Sequence, residues 1–208
     1  MKKNLYSELV IWPKGYVNDT DLSVMISKSD AARYGIVNRA LKEGVLTHVK
    51  RGLYIITLPR RESPVDLYEL AQVIYGPSFV SLESALQYHS LIPEAVYGVT
   101  SVTPKRISSF STPLGVFSYK RVPLLNFLLG VERIESDATT FFMAGPWRAI
   151  ADIIYLRHKQ WGSLEDLCED MRIEPDTLGQ SSALSQLVEN YPNSRTKAVL
   201  ARFIGELT

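Results

Sequence analysis

The chain has 208 residues, of which only one is a cysteine, Cys168, and three are histidines. A single thiol excludes an internal disulfide framework and any zinc site built from several cysteines, and it favours a reducing compartment. His48, His89 and His158 are scattered and follow no H-E-x-x-H spacing. We therefore expect a cytoplasmic protein that binds no metal.

Long apolar runs are absent as well. The sequence contains no stretch of eighteen or more uncharged apolar residues, the length that indicates a membrane-spanning helix. Met1-Lys2-Lys3-Asn4 is not followed by an apolar segment of the signal-peptide type. These absences predict a protein that is neither exported nor membrane-bound.

Sequence patterns of common enzyme sites are missing too. There is no G-x-G-x-x-G or G-K-[ST] phosphate loop, no G-x-S-x-G nucleophile turn, and no E-x-K of the kind found in metal-dependent nucleases. Asp19-Thr20-Asp21 stands at a predicted helix start, where acidic residues cap the helix and favour its dipole. The sequence thus predicts a protein that is not an enzyme and needs no cofactor.

Charge is distributed unevenly along the chain. Residues 1–61 carry 11 Lys and Arg against 5 Asp and Glu, whereas residues 62–208 carry 12 against 17. A basic N-terminal part joined to an acidic body favours a polyanion partner at the front of the chain. The alternative is a chance segregation of solvated charges.

A helix followed by a short basic hairpin is the most informative pattern. We predict a helix that starts near Ser27, with Ser27 and Asp30 as a capping box, and that runs to Glu43. Gly44 ends it, because glycine tolerates the left-handed conformation after a helix. Earlier, Asn18 or Asp19 is predicted to cap a preceding helix.

The predicted helix has one apolar and one polar face. Its core-facing residues are Ala32, Ile36, Val37, Ala40 and Leu41. Its opposite face consists of Lys28, Ala31, Gly35, Asn38, Arg39 and Lys42, with Tyr34 at the margin. Asparagine can bond an adenine edge and arginine a guanine edge, so this face fits a DNA major groove. A solvated polar face is the alternative, and the side chain of Arg33 either extends outward or pairs with Asp30.

The hairpin that follows adds cations. Leu46, Val49, Leu53 and Ile55 are predicted to pack inward from two strands, with Lys50-Arg51-Gly52 at the turn. Two adjacent cations at such a turn are suited to bind DNA phosphates. The predicted base contacts are Asn38 and Arg39, with Tyr34 beside them, and the predicted phosphate contacts are Lys28, Ser29, Lys42, His48, Lys50 and Arg51.

Residues 15–56 resemble the winged helix-turn-helix of the AbiEi-type antitoxins of type IV toxin-antitoxin systems. The resemblance is carried by Asn38-Arg39-Ala40-Leu41, Glu43-Gly44 and Arg51-Gly52-Leu53-Tyr54, and it continues in residues 79–93 and 145–155. Arg33, where an apolar residue is usual, and the short first helix depart from the pattern.

The resemblance implies the fold and the function. The fold class is α+β, with a winged helix-turn-helix domain in residues 1–58 and a mixed domain with a small antiparallel sheet in residues 59–208. The first domain would repress its own promoter through repeated sites, and the second would counter a nucleotidyltransferase-like toxin without a stable complex. The alternative is an adaptor whose winged helix docks a protein.

The second domain offers one more set of cations. Four strands are predicted, over residues 97–102, 106–111, 116–121 and 139–143, and helices follow from Gly145 onward. Lys105-Arg106 and Lys120-Arg121 can align across paired strands as further DNA contacts. They can equally be strand-edge charges that discourage aggregation.

Overall fold

The computed structural model describes residues 5–59, 65–93, 97–136, 139–179 and 181–207, and it confirms a mixed α+β fold. The N-terminal unit pairs three helices with a three-stranded antiparallel sheet of order β1-β3-β2. Its elements are α1 (Leu5–Val10), β1 (Tyr16–Asn18), α2 (Asp19–Met25), α3 (Asp30–Lys42), β2 (Leu46–Lys50) and β3 (Leu53–Ile56).

The helix starts agree only in part with the sequence-based prediction. Asn18 caps α2 as expected, in a capping box with Asp21. The capping box predicted at Ser27 is wrong, because α2 is capped at Ile26 and the chain needs the next three residues to turn. α3 therefore begins at Asp30, with Ser29 in the N-cap position and its hydroxyl making no capping hydrogen bond.

The second unit has the remaining elements. Around its sheet lie α4 (Leu67–Ile74), β4 (Phe79–Val80), α5 (Leu82–Tyr88), β5 (Gly98–Thr103), β6 (Ser108–Thr112), β7 (Gly115–Arg121), β8 (Val131–Ser136) and β9 (Thr139–Ala144). Helices follow, namely α6 (Pro146–Arg157), α7 (Leu164–Met171), a short 3₁₀ turn (Pro175–Thr177), α8 (Ser182–Asn190) and α9 (Ser194–Glu206).

The sheet of the second unit corrects the expectation of a small antiparallel sheet. It has six strands in the order β6-β7-β5-β4-β9-β8, and the pairs β5–β7 and β4–β9 are parallel. All four predicted strands are present within one or two residues. β4 was missed because two residues give no alternation, and β8 because Glu132, Arg133 and Glu135 make this edge strand look like a polar loop.

The three-stranded sheet is buried on both faces. Because successive side chains of a strand point to opposite faces, Val17, Leu46 and Ile56 pack against the N-terminal helices. Tyr16, Val49, Leu53 and Ile55 pack into the core of the second unit instead. The sheet therefore lies between two hydrophobic cores, and one of its faces contributes to the core of the second unit.

Where the two units join, an ion pair accompanies the apolar contact. Lys14, just before β1, bonds the carboxylate of Glu69 on α4, and Glu69 is buried. Asp66 caps α4 by accepting hydrogen bonds from the backbone N–H groups of Tyr68 and Glu69. The interdomain linker and the helix start predicted around Ser63 and Pro64 fall on residues 60–64, outside the described part of the chain.

A buried polar network centres on α6. Arg148 and Asp152, one helical turn apart, form an ion pair with 3.0 Å between Nε and Oδ1, and neither side chain is exposed. Asp152 also accepts hydrogen bonds from the hydroxyls of Ser81 (2.7 Å) and Tyr191 (2.6 Å). The Arg148 guanidinium donates to the carbonyl of Leu129 at 2.6 Å. This network ties α6 to the start of α5, the end of α8 and the loop before β8.

We predict that Asp152→Ala lowers the free energy of unfolding by about 3 to 5 kcal/mol, because it leaves the Arg148 guanidinium buried without its counter-charge. Urea denaturation monitored by circular dichroism measures the change. The matched control is Arg157→Ala on the same helix, whose half-exposed ion pair with Glu83 is worth at most about 1 kcal/mol. Equal losses in the two variants would contradict the assignment.

Candidate nucleic-acid interface

The outward side of α3 carries Asn38 and Tyr34, two of the three residues predicted to lie at the base edges. Tyr34 is 70% exposed, Lys42 is exposed, and Asn38 is half-buried. Between them lies Gly35, with open space where a side chain would be. Together with the exposed Ala31, they form what we call the helix surface, which combines one amide, one cation and small residues.

The N-terminal end of α3 carries two further predicted contacts. Lys28 and Ser29 are exposed in the turn before the helix. Arg33 lies beside them, and its guanidinium donates a hydrogen bond to Asp30 at 2.8 Å. Of the two alternatives for Arg33, pairing with Asp30 is therefore the one observed. Arg39 is exposed on the side of α3 towards α1, where it lines a cavity of about 640 Å³ together with Lys28.

Tyr54 on β3 links the helix surface to the hairpin. Its ring makes an edge contact with the imidazole of His48 on β2, with 5.8 Å between ring centroids. Burial raises the pKa of the Tyr54 phenol, and the charges of Asp19 and Tyr34 raise it further. Tyr54 is in ring contact with His48 and packs against the core cluster that includes Val37 and Ala40 of α3, so it links the hairpin to α3.

The hairpin turn consists of Arg51 and Gly52. Arg51 is exposed, and Gly52 has a φ of +75°, which L side chains rarely adopt. The carbonyl of Gly52 accepts a hydrogen bond of 3.0 Å from the backbone N–H of Asp19 at the start of α2. This bond holds the turn, and Arg51 with it, next to the N-terminal end of α2.

Lys50 does not lie beside Arg51 in this surface. The pairing of β2 with β3 shifts between His48 and Lys50, so that His48 faces Tyr54 while Lys50 faces Leu53. Such a bulge places one extra residue in the strand and re-aims the side chains after it. Lys50 consequently points to the second unit, where its Nζ donates a hydrogen bond to the carbonyl of Ile74 at the end of α4.

The electrostatics of Lys50 agree with this position. Burial lowers the pKa of its ammonium, and the nearby positive charge of Lys105 lowers it further. The expectation that Lys50 and Arg51 form one phosphate-binding pair is therefore corrected: Arg51 is free at the turn, whereas Lys50 fastens the base of the hairpin to α4.

The four cations predicted in the second unit are all exposed. Lys105 is engaged, since its Nζ donates to the carbonyl of Gly76 at 2.5 Å and lies 5.5 Å from the centroid of the Tyr75 ring. The remaining three, Arg106, Lys120 and Arg121, are named the sheet-end cations here. They lie next to the carboxyl ends of β5 and β7.

Cationic side chains without a partner are confined to two places within the described residues. Lys28, Arg39, Lys42, Arg51 and the sheet-end cations make no side-chain hydrogen bond or ion pair there. From position 122 on, every described Lys or Arg side chain has a partner. The unpaired cations therefore lie in two places, at the predicted site of the N-terminal unit and at the adjacent end of the second sheet.

Tyr54 is the site residue that the sequence-based prediction missed. The alternation of β3 would have placed it opposite the inward-facing Leu53 and Ile55, and so on the same side as His48.

Two further features were looked for in the described residues, a metal-binding cluster and a membrane-spanning helix. No group of three or more His, Cys, Asp or Glu side chains in that part of the chain is placed to hold a metal ion, and no helix in it is long and apolar enough to cross a membrane. No protein-family model matches the sequence, and it has no significant match among the curated proteins.

Two glycine substitutions test the local geometry of the site. Gly52→Ala is predicted to lower the free energy of unfolding by about 1 to 2 kcal/mol, because its φ is positive. A Cβ there would also lie only 2.7 Å from Asp19 Oδ2. Gly35→Ala, in the open middle of α3, is predicted to raise it by about 0.5 to 1 kcal/mol. Thermal denaturation of both variants checks the pair, and a loss of stability in Gly35→Ala would contradict the exposed position of Gly35.

Proposed function

We propose that residues 1–58 are a winged helix-turn-helix that binds double-stranded DNA in a sequence-specific manner. The order of the elements, α1-β1-α2-α3-β2-β3, and the antiparallel three-stranded sheet support this assignment. The observation that carries it is the single surface formed by α3 and the hairpin through Tyr54, with four unpaired cations around it. Positive charges without counter-charges attract a polyanion such as the DNA backbone.

In the proposed complex, α3 enters the major groove. Ala31 and Gly35 present no bulky side chain, so the helix can approach the base edges closely. Asn38 has the donor and acceptor needed for an adenine edge. Arg39, on the α1 side, contacts a guanine edge or the adjoining backbone.

The phosphate contacts surround this helix. Lys28 and Ser29 lie at its N-terminal end, Lys42 at its C-terminal end, and His48 and Arg51 in the hairpin. Contacts on both sides of α3 fix its position along the duplex without reading sequence themselves.

The proposed role of the protein is that of an autorepressor and antitoxin of a type IV toxin-antitoxin system. This part of the proposal is supported by the resemblance of residues 15–56, 79–93 and 145–155 to the AbiEi-type antitoxins. The N-terminal unit would repress the promoter of its own operon, and residues 59–208 would counter a nucleotidyltransferase-like toxin.

DNA binding is tested with a duplex from the region upstream of the protein's own gene. We predict that Arg51→Gln reduces the slope of log K against log salt by about 0.9, the contribution of one phosphate contact. Lys50→Gln, the matched control one position away, leaves the slope unchanged because Lys50 bonds the carbonyl of Ile74. Fluorescence anisotropy at several salt concentrations measures both.

Specificity is tested in the same assay with Asn38→Ala. The variant is expected to lose about 1 to 3 kcal/mol of discrimination between the upstream duplex and a scrambled one, with its salt slope unchanged. If the wild-type chain binds no duplex even at low salt, the DNA proposal fails and the protein-docking alternative is favoured.

The antitoxin role is tested by co-expression with a nucleotidyltransferase-like protein encoded beside this chain. The wild-type chain and Asn38→Ala are both expected to restore growth, because the second unit is assigned this activity. In a reporter assay, Asn38→Ala alone would lose repression of the promoter. Growth arrest that the wild-type chain does not relieve would refute this role.

A further inference from the structure

The N-terminal unit contains a cavity of about 640 Å³ between α1, the end of α2 and the last two turns of α3, which we call the α1–α3 cavity. Its volume lies in the range of small-molecule binding sites. Its apolar lining comes from all three helices and from the residue before β2, namely Leu5, Met25, Ile26, Ile36, Ala40 and Val45.

The apolar lining of this cavity is aliphatic. Among the described lining residues, Tyr6 on α1 is the one aromatic residue, and it is 47% exposed, so the wall offers no buried ring on which a flat ligand could stack. Leu5, Ile26 and Ala40 are buried and form a packed wall. Met25 adds an unbranched side chain that adapts to the shape of a ligand. The cavity therefore fits an alkyl chain better than an aromatic ring.

Charged side chains at the rim favour an anionic head group. Lys28, in the turn before α3, and Arg39 both line the cavity and are exposed, and neither has a hydrogen-bond or ion-pair partner within the described residues. Glu43, one helical turn after Arg39, also lines the cavity. The rim thus carries two positive charges and one negative charge, and both cations are available to a carboxylate.

The same two cations belong to the proposed DNA contacts. In the proposed complex Lys28 contacts a phosphate and Arg39 a guanine edge or the adjoining backbone, whereas the aliphatic wall has no part in it. A carboxylate that pairs with Lys28 and Arg39 neutralises positive charge that the DNA would otherwise use. Ligand and duplex would therefore each lower the affinity of the chain for the other, and by the same factor.

We propose that the α1–α3 cavity binds a medium-chain carboxylate and that this ligand releases the chain from DNA. The alkyl chain lies against the aliphatic wall, and the carboxylate pairs with Lys28 and Arg39. The ligand site itself is independent of DNA. Its regulatory effect rests on the proposed DNA-binding function and adds a control to it.

Ligand binding is tested on the full chain without DNA, by isothermal titration calorimetry with octanoate as the probe. Octanol and octylammonium have the same alkyl chain without the negative charge and are expected to bind about 5-fold more weakly, the factor of one exposed ion pair. Hexanoate is two methylenes shorter and is expected to bind about 15-fold more weakly, since each buried methylene contributes about 4-fold. Equal affinity for the three head groups, or tighter binding of 2-naphthoate than of octanoate, would overturn the assignment.

Substitutions at the rim and in the wall locate the probe. Arg39→Gln is expected to weaken octanoate binding about 2- to 5-fold and Glu43→Gln to strengthen it by a similar factor, because one removes a counter-charge and the other a like charge. Ala40→Leu fills the cavity and is expected to abolish binding, whereas Ala32→Leu, at an exposed position of the same helix, keeps it. If Ala40→Leu does not fold, the opposite signs of the two charge variants still decide the assignment.

Regulation is tested in the fluorescence-anisotropy assay with the upstream duplex. Saturating octanoate is expected to weaken DNA binding and to reduce the slope of log K against log salt by about 0.9 to 1.8, the contribution of one or two phosphate contacts. Sodium acetate at the same concentration has the head group without the chain, controls for ionic strength and is expected to have no such effect on the slope. Ala40→Leu is expected to bind the duplex as the wild-type chain does and not to respond to octanoate.

The outcomes also distinguish this inference from the proposed function. If Asn38→Ala loses discrimination while octanoate neither binds the wild-type chain nor changes its DNA affinity, the inference is overturned and the DNA-binding function stands. If octanoate binds with the expected dependence on Arg39 and Glu43 but no duplex binds at low salt, the ligand site is supported and the proposed function fails. Octanoate that binds without lowering DNA affinity would overturn the regulatory effect.

Discussion

The three-stranded sheet, buried on both faces, is the constraint on which the proposed site depends. Alternate side chains of its strands pack into two different cores, one with the N-terminal helices and one with the second unit. The hairpin therefore cannot move without disturbing the second unit. Removing the second unit would expose Tyr16, Val49, Leu53 and Ile55. Burial of each of the three aliphatic side chains among them stabilises the fold by about 1.5 to 3 kcal/mol. Arg51 and the helix surface are consequently held in one arrangement, and such preorganisation would reduce the entropy lost in the proposed binding of DNA.

Charge pairing divides the cations of the described residues into two sets, those with a partner and those without one. Arg148 is buried and forms an ion pair with Asp152. The exposed cations of the C-terminal helices have carboxylate, carbonyl or imidazole partners. The proposed site and the sheet end lack such partners within the described residues. The net charge of +1 conceals this difference, because it sums satisfied and unsatisfied charges alike.

Much of the site could be predicted from the sequence, because short-range patterns determine it. Helical spacing identified Val37 and Ala40 as core residues of α3, although Ala32, predicted on the same face, is exposed. The glycines at 44 and 52 marked the turns where φ is positive. Tertiary pairing was not predictable in the same way. The start of α3 depended on where α2 ended, and the parallel partners β5 and β7 are brought together only because β6 pairs on the outer side of β7.

The bulge at Val49 shows how one position can reassign a charge. In a regular strand Lys50 would share a face with His48, whereas here it pairs with Leu53 and points to α4. When hairpins of related proteins are compared, a lysine aligned with Lys50 will therefore be equivalent to it only if the other strand carries the same irregularity. Homologous positions should be matched by the face of the strand on which the side chain lies. A sequence alignment alone would equate a lysine that bonds the neighbouring unit, as Lys50 does, with a lysine that is free to contact a ligand.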